Sequence, residues 1–312
     1  MKVDDPRTME SVKEFVEPLK KRWIYHFIIS PKTNKAEKPE WYLNKTLAWI
    51  HQYIDIVETK VKIPSNNQQA KQNVRHEFIM CMLEFCCTRL SKDMNSIKNS
   101  VGEDSRSDAI LIHTYNEVIQ FVKIIRQLLG ERYDTLDEKY DVLSIMTEQS
   151  LFERIVDIEW ECAEMNLREI FEAENKWDLV LGVDFIDIYK IPRCVDRFLL
   201  LQKSISERVE CFRYEDCQLK LIELQCHLFK LFLKSLKKRM ENKGSYMFFF
   251  IDNEPAANIS GIYNGIKFIR LILKEHAFIP NAMKDKTFFD QVAKDYEETF
   301  NKLADKMSSE SP

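Results

Sequence analysis

Apolar residues recur at helical spacing along almost the whole chain. From Glu40 to about Val61, Leu43, Leu47, Ile50, Ile54 and Val57 fall on one helix face, and Pro39 precedes them where its fixed φ suits a first turn. The cleanest pattern runs from Gln218 to Lys243. There Leu219, Ile222, Cys226, Phe229, Leu233, Leu236 and Met240 alternate in threes and fours, which holds a single face. Similar spacing predicts helices over 9–29, 70–94, 107–129, 151–176, 192–212, 255–278 and 284–307. Ser107 is placed to cap the fourth helix, and Gly130 and Gly244 to stop the fourth and seventh. Residues 62–69 and 95–105 are polar loops, 131–150 is mixed with room for a short helix, and only Phe248–Ile251 resembles a strand. The expectation is an all-α chain, an elongated stack of long antiparallel helices. It is divided into an N-terminal bundle region 1–147 and a C-terminal region 148–312, continuous as one rod.

Composition agrees with this. Six glycines in 312 residues are far below the usual ~7%. Phosphate-cradling loops and tight hairpins need glycine that this chain hardly has. Gly261 and Gly265, four apart, would let two helices approach closely. Hydrophobic residues at 45% are ample for a core. The net charge of −4, with both signs interspersed, lacks the basic excess of a nucleic-acid binder. The longest uncharged run, Pro255–Ile266, is too short and too polar to cross a membrane, which takes ~20 apolar residues. The first twenty residues are too polar for a signal peptide.

Catalytic and metal-binding patterns are missing. His76-Glu77-Phe78-Ile79-Met80 opens like a zinc-protease motif, but Met80 stands where the second histidine is required. The six histidines (His26, His51, His76, His113, His227 and His276) are scattered singly. Glu159, Glu161 and Glu164 share a helix, yet an acid–base pair would need tertiary proximity. The eight cysteines contain no CxxC pair and read as buried thiols of a reducing compartment. The expectation is no enzyme, with no catalytic, cofactor-binding or metal residues, no cofactor and no small-molecule substrate. Two basic clusters stand out, Lys20-Lys21-Arg22 and Lys237-Lys238-Arg239 with Lys243. The second lies where a helix dipole favours cations; contact with anionic lipid is the sharper alternative.

Several short words occur in a telling order. They are Glu17-Pro18-Leu19-Lys20-Lys21-Arg22 with Tyr25-His26-Phe27, then Lys38-Pro39-Glu40-Trp41-Tyr42-Leu43 with Trp49-Ile50. Phe152-Glu153-Arg154, Trp177, Ile191-Pro192-Arg193-Cys194-Val195, Leu221-Ile222-Glu223-Leu224-Gln225 and Asn258–Asn264 follow. Together these resemble the RINT / Tip-twenty group, subunits of the Dsl (NRZ) tethering complex at the endoplasmic reticulum. The resemblance runs from about Phe15 to Met307 and is weakest over 61–149. It implies a helical-rod tethering factor that captures Golgi-derived retrograde vesicles. Implied partners are Zeste-white-ten-type subunits and ER SNAREs, with a cytoplasmic, peripheral location on that membrane. Checkpoint roles are also ascribed to members. The family's N-terminal coiled-coil region, which pairs with the Zeste-white-ten-type subunit, has no counterpart before Phe15, and members continue past the C-terminal end. The resemblance thus implies that the chain corresponds to the middle part of the family. No partner-contact residue transfers, because the words look like packing positions. Trp41, Leu43 and Trp49 are expected in the core.

Overall fold

The computed structural model describes residues 6–61, 68–180, 189–241, 254–275 and 287–309. Nine α-helices carry almost all of these: α1 Pro6–Ile24, α2 Pro39–Lys60, α3 Gln68–Ile97, α4 Ser105–Leu129, α5 Gln149–Glu172, α6 Arg193–Cys211, α7 Glu215–Glu241, α8 Glu254–Lys274 and α9 Asp290–Ser309. Among the described residues there is no strand, only one isolated antiparallel bridge between Leu179 and Pro192. The chain is all-α. The strand-like Phe248–Ile251, the stop at Gly244, Lys243 and His276 lie outside the described residues. Two compact units, 1–157 and 158–312, divide the chain inside α5.

Unit 1 is built around α3. This helix buries Val74, Phe78, Met82, Phe85, Cys86 and Leu90, together with Ile79, Leu83 and Cys87 on flanking sides. A helix apolar on several sides belongs in a centre, and α1, α2 and α4 all pack on it. α1 presents Val12, Val16 and Trp23 to that core. Pro18 sits inside α1 on its exposed side, so the carbonyl left without a backbone partner faces water. The predicted helix 9–29 is two elements. α1 ends at Ile24, and a π-turn over Tyr25–Ile29 follows.

The end of that turn is closed by side chains. Three successive carbonyls point past the last helical hydrogen bonds, a general feature of helix C-termini. Thr33 Oγ1 donates to the His26 carbonyl, Arg89 Nη1 to the Phe27 carbonyl at 2.7 Å, and Asn34 Nδ2 to the Ile28 carbonyl at 2.6 Å. Arg89 also donates to Asn34 Oδ1 and, through Nε, to Asp93 Oδ2 at 2.8 Å. Arg89 and Asp93 are both buried. Burial pushes the Asp93 carboxyl up, and Arg89 acts against that shift.

Asp104 caps α4, not Ser107: its carboxylate accepts from the backbone N–H groups of Arg106 and Ser107. Gly130 ends the helix at a positive φ of 57°. The mixed stretch 131–147 forms three short 3-10 turns. Buried Asp141 organises them by accepting from Leu143 N at 3.1 Å and from Tyr133 Oη at 3.3 Å.

Unit 2 centres on α7, which buries Leu221, Ile222, Leu224, Leu228, Phe229, Phe232, Leu233 and Leu236. Phe232 stacks on Phe198 of α6 at 4.1 Å between ring centroids, and Phe229 meets the same ring edge-on at 5.1 Å. Two buried glutamines lock α6 to α7. Gln202 Nε2 donates to the Gln225 carbonyl at 3.4 Å, and Gln225 Nε2 to the Gln202 carbonyl at 3.1 Å and to Ser206 Oγ at 2.9 Å. α9 joins through Tyr296, whose hydroxyl donates to the Phe229 carbonyl at 2.9 Å.

Candidate interaction surfaces

Several of the titratable side chains picked out from sequence have structural partners. His113 pairs with Glu40 at 3.1 Å, and His227 with Glu164 at 3.2 Å. Partial burial opposes ionisation of Glu40, but its own backbone N–H and His113 outweigh that and hold the carboxyl below its usual range. Glu159 is buried with Arg208 Nε at 3.0 Å, and burial pushes its carboxyl up. Glu164 accepts from Trp160 Nε1 at 3.0 Å. Glu159 and Glu164 thus face different partners, and no acid–base pair is assembled from them. His76 is half-buried on α3, next to Phe78 and Ile79 in the core. Among the described residues no three His, Cys, Asp or Glu side chains gather as a metal site would require.

All eight cysteines are free, and only Cys162 is exposed. Burial raises Cys81, Cys86 and Cys194 to about 12 and Cys217 and Cys226 to about 11. Cys87 is also pushed up. Burial thus favours the protonated, weakly nucleophilic form of these thiols.

Of the basic clusters, Lys21 pairs with Glu17 at 3.7 Å, and the Arg22 guanidinium lies 5.9 Å above the Trp49 ring. The second cluster borders a cleft of about 510 Å³ between α5 and α7. These two helices run in the same sense, since Trp160 meets His227 while Phe171 meets Phe232. Leu167, Phe171 and Leu231 supply apolar walls, and Arg168, Lys238 and Arg239 the charge. Arg239 is fixed by stacking 5.2 Å over the Phe171 ring and by donating to the Phe171 carbonyl at 3.2 Å. Sequence spacing could not assemble this cleft, because its halves lie sixty residues apart, from Phe171 to Leu231.

One core assignment needs correction. Leu43 and Trp49 are buried, but Trp41 is 42% exposed. Buried positions 39, 42, 43, 46, 47 and 50 form one stripe on α2, and 41 lies off it. Tyr25 and Ile29 are more exposed still.

The short words singled out from sequence meet one another in space. Phe27 sits edge-on to Tyr42 at 6.4 Å and Arg22 lies over Trp49, tying the first word to the second, and between them Trp23 donates from Nε1 to Thr46 Oγ1 at 3.1 Å. Arg154 pairs with Asp108 at 2.9 Å. The α6 N-terminus donates to loop carbonyls, Arg193 N to Asp178 at 2.8 Å and Cys194 N to Lys176 at 2.9 Å. Against it lies α8: a Cβ at Gly261 would stand 3.7 Å from Pro192, and one at Gly265 only 2.6 Å from Val195 Cγ2. The close approach expected from the glycine spacing is present.

Residues 11–310 match the model of the RINT-1/TIP-1 family. The chain is also similar to the RINT1-like protein of Drosophila melanogaster, 22% identical over 301 residues. That alignment takes in 92% of this chain and 38% of the relative, so the chain spans about two fifths of that protein's length. No solved structure matches. With nearly its whole length covered by one family model, the chain belongs to the RINT-1/TIP-1 family.

Proposed function

We infer that the chain is part of a non-enzymatic vesicle-tethering subunit that acts through contacts with other proteins. The observation that carries this reading is the family match over residues 11–310. Side-chain chemistry supports it. Glu159, His227 and the seven buried thiols are spent on ion pairs and helix packing. The finer reading is a role in Golgi-to-ER retrograde transport, with Zeste-white-ten-type subunits and ER SNAREs as partners. Its site of action is then the cytoplasmic side of the endoplasmic reticulum, as a peripheral protein. No helix among the described residues is long and apolar enough to cross a membrane.

Affinity purification of the tagged chain from cells tests this. Enrichment of tethering-complex subunits or ER SNAREs over an unrelated helical protein of equal size is expected. Recovery of neither class, under conditions where a full-length relative recovers both, refutes the reading.

A further inference from the structure

The cleft between α5 and α7 pairs an apolar lining with an unbalanced positive charge. Arg168 and Lys238 are exposed and make no ion pair with any described residue. Arg239 is held in place by Phe171. The single carboxylate of the lining, Glu164, already accepts from Trp160 and pairs with His227. Three cations therefore face one committed anion. Helix dipoles account for cations near the end of α7. They do not account for Leu167, Phe171 and Leu231 lining a cleft open to solvent beneath those cations.

We propose that this cleft binds an anionic phospholipid, with its phosphate among Arg168, Lys238 and Arg239 and its first acyl carbons against Leu167, Phe171 and Leu231. The cleft volume, about 510 Å³, lies within the range of small-ligand sites. Its lining runs over about two helical turns, roughly 11 Å, which matches a headgroup with the upper part of its chains. Ser235, half-buried between the two layers, offers a hydroxyl to the phosphate ester oxygens. The proposal is independent of the tethering reading, since it rests on this cleft alone.

Flotation of the whole chain with phosphatidylcholine vesicles, with and without phosphatidic acid, tests it. Binding to the acidic vesicles is expected. The double variant Arg168→Glu/Lys238→Glu should weaken it at least tenfold, because each basic side chain at an anionic surface contributes about fivefold. Lys20→Glu/Lys21→Glu makes the same charge change in unit 1, outside the cleft, and should weaken binding less than the cleft pair does. Ser235→Trp fills the cleft without changing its charge and should also abolish binding. Circular dichroism of each variant checks that it is folded. The proposal is overturned by absent preference for phosphatidic acid, by equal losses in the two charge-reversed pairs, or by undiminished binding of Ser235→Trp. Displacement by glycerol 3-phosphate as effective as that by short-chain phosphatidic acid would show a free-phosphate site and overturn it too. So would binding of an acidic amphipathic peptide in place of the vesicles.

Discussion

Gly261 and Gly265 occupy successive turns of one helix, yet alanine should have opposite effects at the two. A Cβ at Gly265 would lie 2.6 Å from Val195 Cγ2, with Val195 Cβ at 3.8 Å and Pro192 Cδ at 4.0 Å behind it. Val195 is fully buried and β-branched, so its methyl cannot swing aside into another rotamer without a new clash. α8 would have to retreat by about 1 Å to restore ordinary van der Waals distance, a change of the kind that costs ~1–3 kcal/mol in packed cores. The gain in helix propensity from glycine to alanine offsets ~0.5–1 kcal/mol of this. Gly265→Ala should therefore destabilise by about 1–2 kcal/mol. At Gly261 the nearest atoms would be Pro192 Cβ and Cγ at 3.7 Å and Trp177 Cε3 at 3.8 Å, ordinary contact distances. There only the propensity gain acts, and Gly261→Ala should stabilise by ~0.5–1 kcal/mol. Urea unfolding followed by helical circular dichroism, with hydrogen exchange of α8 amides as a local probe, separates the two. Adding Val195→Ala removes the offending methyl, so in that background the cost of Gly265→Ala should fall close to zero. Equal effects of the two alanines, or no relief from Val195→Ala, would show that Val195 does not set the helix separation.

Arg89→Met leaves Asp93 buried without its counter-charge and the Phe27 carbonyl without its donor, a loss of about 3–5 kcal/mol. Asp93 already has a raised carboxyl pKa, so its proton is held more tightly folded than unfolded; the Arg89→Met deficit should shrink as pH falls from 7 towards 5, and Asp93→Asn should recover part of it at pH 7 in urea titrations. Asp108 titrates the other way: the Arg154 guanidinium, then the Gly102 N–H, outweigh partial burial and hold its carboxyl below the usual range. Its contribution is present above the unfolded pKa and lost as pH falls through the lowered folded value, so wild type and Asp108→Asn should differ in stability at pH 7 and converge in strong acid. A thiol-reactive chromophore should modify one cysteine readily in the native chain, and all eight in denaturant. Mass mapping should place the native modification at Cys162, and fast labelling of Cys86 or Cys194 would contradict their burial.

Helix positions were legible because most of these helices have one buried face, and a 3.6-residue period reports one face. The same period is weak for α3, whose apolar residues occupy several sides; that weakness was itself the sign of a central helix. The π-turn at Tyr25–Ile29 was not legible. It is imposed by Thr33, Asn34 and Arg89, and Arg89 lies more than fifty residues away. A local hint existed in Arg89 and Asp93, an i, i+4 ion pair set among Phe85, Cys86, Leu90 and Met94. Charges in so apolar a stretch must be paired to be buried. The α4 cap was misplaced for a simpler reason. Asp104 and Ser107 are both good capping residues, and only the backbone geometry shows which one stands outside the helix.

Trp41 separates two kinds of information that a family word carries. In Lys38–Leu43, Pro39 starts α2 while Tyr42 and Leu43 fill the core, so these positions are fixed by folding. Trp41 is turned about 100° from Tyr42 around the helix axis, on the side shared with the exposed Lys45 and Gln52. A helical wheel drawn on Pro39, Tyr42, Leu43, Thr46, Leu47 and Ile50 already puts position 41 outside the stripe; the core expectation came from reading the whole word as packing positions. Other residues of the matched words make contacts within the chain: Arg22 with Trp49, Phe27 with Tyr42, Arg154 with Asp108, Gly261 with Pro192. The resemblance therefore specifies how these helices pack. What the protein meets must be sought on residues that packing leaves free, such as Arg168 and Lys238 at the α5–α7 cleft, which the matched words do not contain.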